Sequence, residues 1–165
     1  MSGYVDRAIK FIKQFSLYTE GCVTLADYNW AVYVFNLDYK RRVRLHHGMT
    51  RIAFITSDYV VKMDFNATNI AKWGGCEKEM ELYAQAEIDH MEHLFAKITP
   101  FEYNGQMFYI MPLVRGIGRK WNEAWDFMTG EESNWCNDHG LADLHNQNYG
   151  WKDNHVVLID YGAHD

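Results

Sequence analysis

The sequence predicts an α+β protein in which two helices lead into an antiparallel sheet, and three observations carry that prediction. Apolar side chains recur at three- and four-residue spacing through the N-terminal stretch. From Arg42 the period shortens to that of strands, and farther on an Asn104-Gly105 pair flanked by aromatic and apolar residues marks a hairpin. A hydrophobic content of 48% with 16% aromatics excludes a disordered chain, and 165 residues suffice for one domain or two small lobes.

The elements follow in order. Val5, Ala8, Ile9, Ile12 and Phe15 lie on one face of a helix over residues 4–16, with Asp6, Arg7, Lys10 and Lys13 between them. Thr24 caps a second helix, Leu25 to Phe35, whose Tyr28, Trp30, Tyr33 and Phe35 are read as core packed under or beside the sheet. Val43-Arg44-Leu45, Arg51 to Ile55 and Tyr59 to Phe65 read as three strands joined by short turns at His47-Gly48 and Ser57-Asp58. After Gly74-Gly75, a helix over Glu77 to Glu92 is expected to bury Met80, Tyr83, Ala84 and Ile88, with Glu79 near the edge of that face. Pro100 to Tyr103 and Gln106 to Met111 give the fourth and fifth strands, either side of Asn104-Gly105. Two short helices, Trp121 to Met128 and Glu131 to Asp138, break at Thr129-Gly130, and Trp121, Trp125 and Trp135 are read as core.

Charge is uneven. The first 120 residues carry fifteen basic and thirteen acidic side chains, and the remainder carry one and nine, so a metal is expected at the acidic end. Lys40-Arg41-Arg42-Val43-Arg44 is read as a solvated strand edge, and nucleic acid is not expected as a partner. No apolar run approaches the ~20 residues of a membrane span. The N-terminus lacks the plan of a signal peptide, so a cytoplasmic location without membrane partners is expected. Cys22, Cys76 and Cys136 are far apart and form no Cys-x-x-Cys, which excludes a disulfide framework and a zinc knuckle. His90 and His93, three apart on one predicted helix, have a spacing open to metal ligation but no adjacent carboxylate motif, and are read as structural or exposed.

The chemistry concentrates between Ala142 and Gly162. Asp143 and Asn148 stand five positions apart on a loop, and an apolar strand, Val156 to Ile159, leads into Asp160-Tyr161-Gly162. Carboxylate and amide oxygens are hard ligands suited to a divalent ion that holds a nucleotide triphosphate. Upstream, Lys62 sits within a strand among Val60, Val61 and Met63, where its charge must reach water or an anion.

Taken together, these residues resemble the protein-kinase-like superfamily, which includes the protein kinases and the aminoglycoside-type phosphotransferases. The resemblance covers roughly residues 43 to 162. It implies a five-stranded antiparallel N-lobe sheet with one main helix, two extra N-terminal helices, and a much reduced C-lobe. The implied division is 1–41 helical extension, 42–114 N-lobe and 115–165 truncated C-lobe. In the family's pattern Asp143 is the catalytic base, Asn148 and Asp160 hold Mg2+, and Lys62 contacts the first phosphates of ATP. Glu79 is the expected partner of Lys62, with Glu77 and Glu81 as alternatives. The turn at Gly48 with Arg51 would face the phosphates, and Met111, Leu113 and Val114 at the lobe-connecting hinge would face adenine, with Gly116 and Gly118 just beyond.

Three departures shape the functional expectation. The phosphate turn has one glycine where the family has two or three, and Asp143-Leu144-His145 resembles the small-molecule branch more than the protein kinases. Only Ala163, His164 and Asp165 follow Gly162, so the acceptor-binding helices are expected to be missing, and the N-terminal helices, a second copy or a partner protein are expected to complete the lobe. The reading adopted is an ATP- and Mg2+-dependent phosphotransferase, a minimal protein serine/threonine kinase. Two alternatives stand beside it: a pseudokinase-like binding or inhibitor protein acting on a host macromolecule, and a small-molecule kinase.

Overall fold

The computed structural model describes residues 3–48, 51–64, 75–115, 123–141, 144 and 147–160. It opens on helix α1, Gly3–Thr19, whose Val5, Ala8, Phe11, Ile12 and Phe15 are buried at the helical period. Helix α2, Leu25–Tyr39, starts at a capping box in which the Thr24 hydroxyl accepts from the Asp27 amide and the Asp27 carboxylate accepts from the Thr24 amide. It ends where Lys40 turns left-handed.

The sheet follows. Strands β1 (Arg44–His47), β2 (Arg51–Ile55), β3 (Tyr59–Asp64), β4 (Thr99–Tyr103) and β5 (Gln106–Pro112) pair antiparallel in the order β1-β2-β3-β5-β4. The α+β class and the five-stranded antiparallel sheet are those expected. Asn104 and Gly105 both have positive φ (52° and 76°), as the mirror-image two-residue hairpin turn between β4 and β5 requires.

The two helices pack on one face of this sheet. Ile52 and Phe54 of β2, Tyr59, Val61 and Met63 of β3, and Phe108 and Ile110 of β5 share a core with α1 and α2. Aromatic rings knit it: Phe11 stacks on Phe15 at 5.1 Å and meets Phe35 edge-on at 5.3 Å, while Phe15 meets Phe54 at 4.8 Å. The aromatic side chains of α2 divide, however. Phe35 is fully buried, whereas Trp30 and Tyr33 are exposed at 67% and 55% and do not belong to the core expected of them. Apolar residues surround α2 on all sides, so its sequence could not single out the buried face.

Helix α3, Gly75–Ile88, is rotated from the expected face. It buries Cys76, Glu79, Leu82, Tyr83 and Ala86, leaving Ala84 and Ile88 exposed. It is also shorter, because His90 takes a positive φ of 59°; His93 then lies in a separate 3-10 turn, Glu92–Leu94. A second 3-10 turn, Ala124–Phe127, precedes helix α4, Gly130–Asp138, which begins at a second capping box, Thr129 with Glu132. The chain continues through a hairpin of β6 (Tyr149–Lys152) and β7 (His155–Leu158), whose turn residues Asp153 and Asn154 both have positive φ.

Contacts divide the chain into two compact units, Met1–Gly74 with Thr99–Leu113, and Gly75–Ile98 with Val114–Asp165. In the first unit the aromatic cluster bears the load of burial. Phe11→Ala is expected to cost about 3–5 kcal/mol and Trp30→Ala no more than about 0.5 kcal/mol, measured by chemical denaturation.

Candidate functional site

In the first unit the sheet register sorts the polar residues. Side chains alternate along a strand, and paired residues of neighbouring strands share a face. Tyr59, Val61 and Met63 point to the helices, so Val60, Lys62 and Asp64 point away from them. Lys62 pairs with Ala53 and with Tyr109, Arg51 pairs with Asp64, and Met111 pairs with Val60. Arg51, Lys62 and Met111 therefore lie together on the face opposite α1 and α2. Lys62 is only 7% exposed, and β3 is the middle strand of five, so it is not a lysine facing water from a sheet edge.

The two ends of this face are tied down. The amide of Gly48 donates to the Arg51 carbonyl at 2.9 Å and closes the β1–β2 turn. A β-carbon added at Gly48 would meet nothing within 4 Å, so local packing does not demand glycine there. The amide of Leu113 donates to the Asp58 carbonyl at 3.0 Å, fixing the chain as it leaves β5, and the Arg7 guanidinium bonds the Asp58 carboxylate.

In the second unit the β6–β7 hairpin does the positioning. Tyr149 pairs with Leu158, so the next residues outward, Asn148 and Ile159, fall opposite one another. The Asn148 carbonyl accepts from the Ile159 amide at 2.8 Å and from the Asp160 amide at 3.2 Å. Asn148 is 7% exposed and Asp160 half-buried. Both residue types offer the oxygen donors that magnesium prefers, so this donor set fits that ion. Two described residues near Asp143, Leu141 and Leu144, are held by backbone hydrogen bonds. Leu141 is buried with its amide on the Cys136 carbonyl, and the buried Leu144 offers its carbonyl to the Ala124 amide.

Among the three glutamates considered, Glu79 is fully buried, while Glu77 and Glu81 are exposed. Val114 is buried and its neighbour Arg115 bridges to Trp151, whose amide donates to the Arg115 carbonyl at 2.9 Å. Asp143 and His145 lie outside the described residues, as do Gly116, Gly118, Trp121, Tyr161 and Gly162. Strand β6 went unread because Tyr149-Gly150-Trp151-Lys152 carries a glycine that normally marks a break; the Asp153-Asn154 turn was the signal that could have found it.

A second polar cluster, His93 with Glu132 and His155, was also missed. Its members come from the Glu92–Leu94 turn, α4 and β7. His90, the residue grouped with His93 by spacing, lies in a left-handed turn and is not in it.

Comparison with protein-family models finds no match, and comparison with curated proteins finds none either. Among solved structures, the Legionella pneumophila Lpg2603 kinase bound to IP6 is similar with a TM-score of 0.47 and 16% identity. The likeness covers 74% of this chain and 48% of that one, so the present chain spans about half its length.

One position in the second unit is closed to side chains. A β-carbon at Gly150 would stand 2.5 Å from Val114 Cγ1 and 2.7 Å from the Arg115 carbonyl oxygen. Gly150→Ala must push backbone away and is expected to lose about 1–3 kcal/mol. Thermal unfolding should register this as a drop in apparent Tm of about 2–4 °C for each kcal/mol.

Proposed function

We propose that this chain is a phosphotransferase built on the protein-kinase-like plan, using ATP and Mg2+ and acting on serine or threonine hydroxyls of a protein. The observation that carries this reading is the burial of Lys62 in the central strand, on the same sheet face as Arg51 and Met111. The resemblance in sequence gives Lys62 the role of contacting phosphate oxygens, and its place beside Arg51 on the sheet face away from α1 and α2 supports that role.

The first unit would supply Lys62 and Arg51 to the phosphates, the Gly48 turn beside them, and Met111 and Leu113 to the adenine ring. By the resemblance, in the second unit Val114 would belong to the hinge, Glu79 would be the family's helix carboxylate, and Asp143 would be the base that orients the acceptor hydroxyl and takes its proton. Asn148 and Asp160 would hold the metal, and their pairing at the open end of the β6–β7 hairpin supports that assignment. Bound magnesium would supply neutralisation of charge on the phosphate oxygens. Positioning and charge neutralisation are most of what phosphoryl transfer requires of a protein.

One observation favours the alternative of a binding or inhibitor protein. Trp30, Tyr33 and Leu37 are exposed along α2 at spacings that place them on neighbouring turns. Such a protein would engage its target through surface contacts, without phosphoryl transfer.

Thermal unfolding with and without ATP and Mg2+ separates these readings. Ligand binding to the native state alone stabilises by RT ln(1 + [L]/Kd), about 2.7 kcal/mol at a hundredfold excess over Kd. The wild type should gain this shift. Lys62→Met and Asp160→Ala should lose most of it, each measured against its own unliganded Tm. No shift in the wild type would sink the nucleotide reading and leave the binding protein. A shift without phosphate incorporation, unchanged by Asp143→Ala, would sink the catalytic assignment alone.

A further inference from the structure

Two histidines converge on one carboxylate oxygen in the second unit. His93 Nε2 lies 2.8 Å from Glu132 Oε1, and His155 Nε2 lies 3.0 Å from the same atom. The ligand atoms of all three residues fall within 4.8 Å of one another. The rings of His93 and His155 stand edge to face, 5.3 Å between centroids.

Hydrogen-bond valence constrains what lies between them. His155 Nδ1 is 2.7 Å from the Val156 carbonyl oxygen, which can only accept, so Nδ1 carries a hydrogen. In a neutral ring the lone pair is then on Nε2, aimed at an oxygen that also carries only lone pairs. That contact needs a cation: a second proton on the imidazole, or a metal ion shared by both atoms. A Nδ1–H held by a carbonyl is the arrangement that orients a metal-bound histidine and leaves Nε2 free to coordinate.

The carboxylate is prepared in the same manner. Glu132 Oε2 accepts from the Thr129 amide at 2.8 Å, closing the capping box of α4 and leaving Oε1 to the histidines. Burial works to raise its pKa, but the Thr129 amide and the two histidines outweigh it, and Glu132 is held below the ordinary carboxylate range. On a single zinc ion with bonds of about 2.0–2.2 Å, ligand atoms stand about 3.0–3.5 Å apart. The two contacts to Glu132 would open by a few tenths of an ångström to seat it, with the histidine nitrogens, which lie within 4.8 Å of each other, brought to the same spacing.

We propose that His93, Glu132 and His155 form a binding site for a divalent transition-metal ion of the zinc class, distinct from any magnesium held at Asn148 and Asp160. Two imidazoles and a carboxylate match the preferences of zinc, which magnesium does not share. His93 is 49% exposed and His155 35%, so water reaches the remaining coordination position. The ligands join the Glu92–Leu94 turn, α4 and the start of β7, and the ion would clamp the strand that ends beside Asp160.

Tag-free, chelator-stripped full chain titrated with Zn2+ by calorimetry and with Co2+ by visible absorption tests the site. The expected result is a single equivalent bound, with the strong visible bands of four- or five-coordinate cobalt and no thiolate charge-transfer band. His93→Ala and His155→Ala should each weaken binding by about tenfold or more, judged against the effect of losing an outer-shell partner. His90→Ala should bind as the wild type does. Because His93 is half exposed, its variant should keep the metal-free Tm and circular dichroism of the wild type, which separates ligand loss from misfolding. Absence of stoichiometric binding, a cobalt spectrum dominated by thiolate, or unaltered binding in both histidine variants would overturn the proposal and leave a proton between His155 and Glu132.

Discussion

Side chains of a strand alternate between the faces of its sheet, and in β3 that alternation separates Tyr59, Val61 and Met63 from Val60, Lys62 and Asp64. Much of the first unit depends on this. The apolar set must be covered, α1 and α2 cover it, and the polar set is thereby committed to the opposite face. A register slip of one residue would drive Lys62 into the Phe11–Phe15–Phe54 cluster and turn Val61 out of it. The aromatic core and the placement of the cationic face are consequences of one pairing, so the cost of disturbing the core is what holds Lys62, Arg51 and Met111 in common orientation.

How much of this was legible varies with the kind of signal. Asn104-Gly105 announced its hairpin because few residues tolerate two successive positive φ values. The two capping threonines were legible at different strengths: Thr24 was read as a cap, while Thr129 was read only as part of a break. Helix α3 was misread in rotation because its buried face includes Glu79, and polarity in sequence argues for exposure. Strand β6 was hidden by Gly150, whose missing side chain answers to Val114 and Arg115 in space and not to a turn in the chain.

The two candidate metal positions show the same contrast. Asn148 and Asp160 stood out because a short apolar strand connects them to a motif of known order. Their juxtaposition has a local cause, since the hairpin register that pairs Tyr149 with Leu158 brings the next residues together. His93, Glu132 and His155 had no such signature. His93 lies 39 residues from Glu132, which lies 23 from His155, and only the packing of a turn, a helix start and a strand brings them to one point.

Glu132 illustrates why such a point can be built economically. Its position as the third residue of α4 is set by the capping box, which needs a carboxylate to accept from the Thr129 amide. One oxygen satisfies the helix start, and the second is left buried, charged and directed away from it. The partly positive end of the helix favours the charge, but desolvation still demands a cation or donor at Oε1. Histidines from two other elements meet that demand, and the valence of His155, with one nitrogen committed to a carbonyl, means they cannot both meet it as neutral donors. The helix cap, the histidine tautomer and the need for positive charge between His155 and Glu132, a proton or a metal ion, are thus one linked constraint, and it bears on β7, the strand that leads to Asp160.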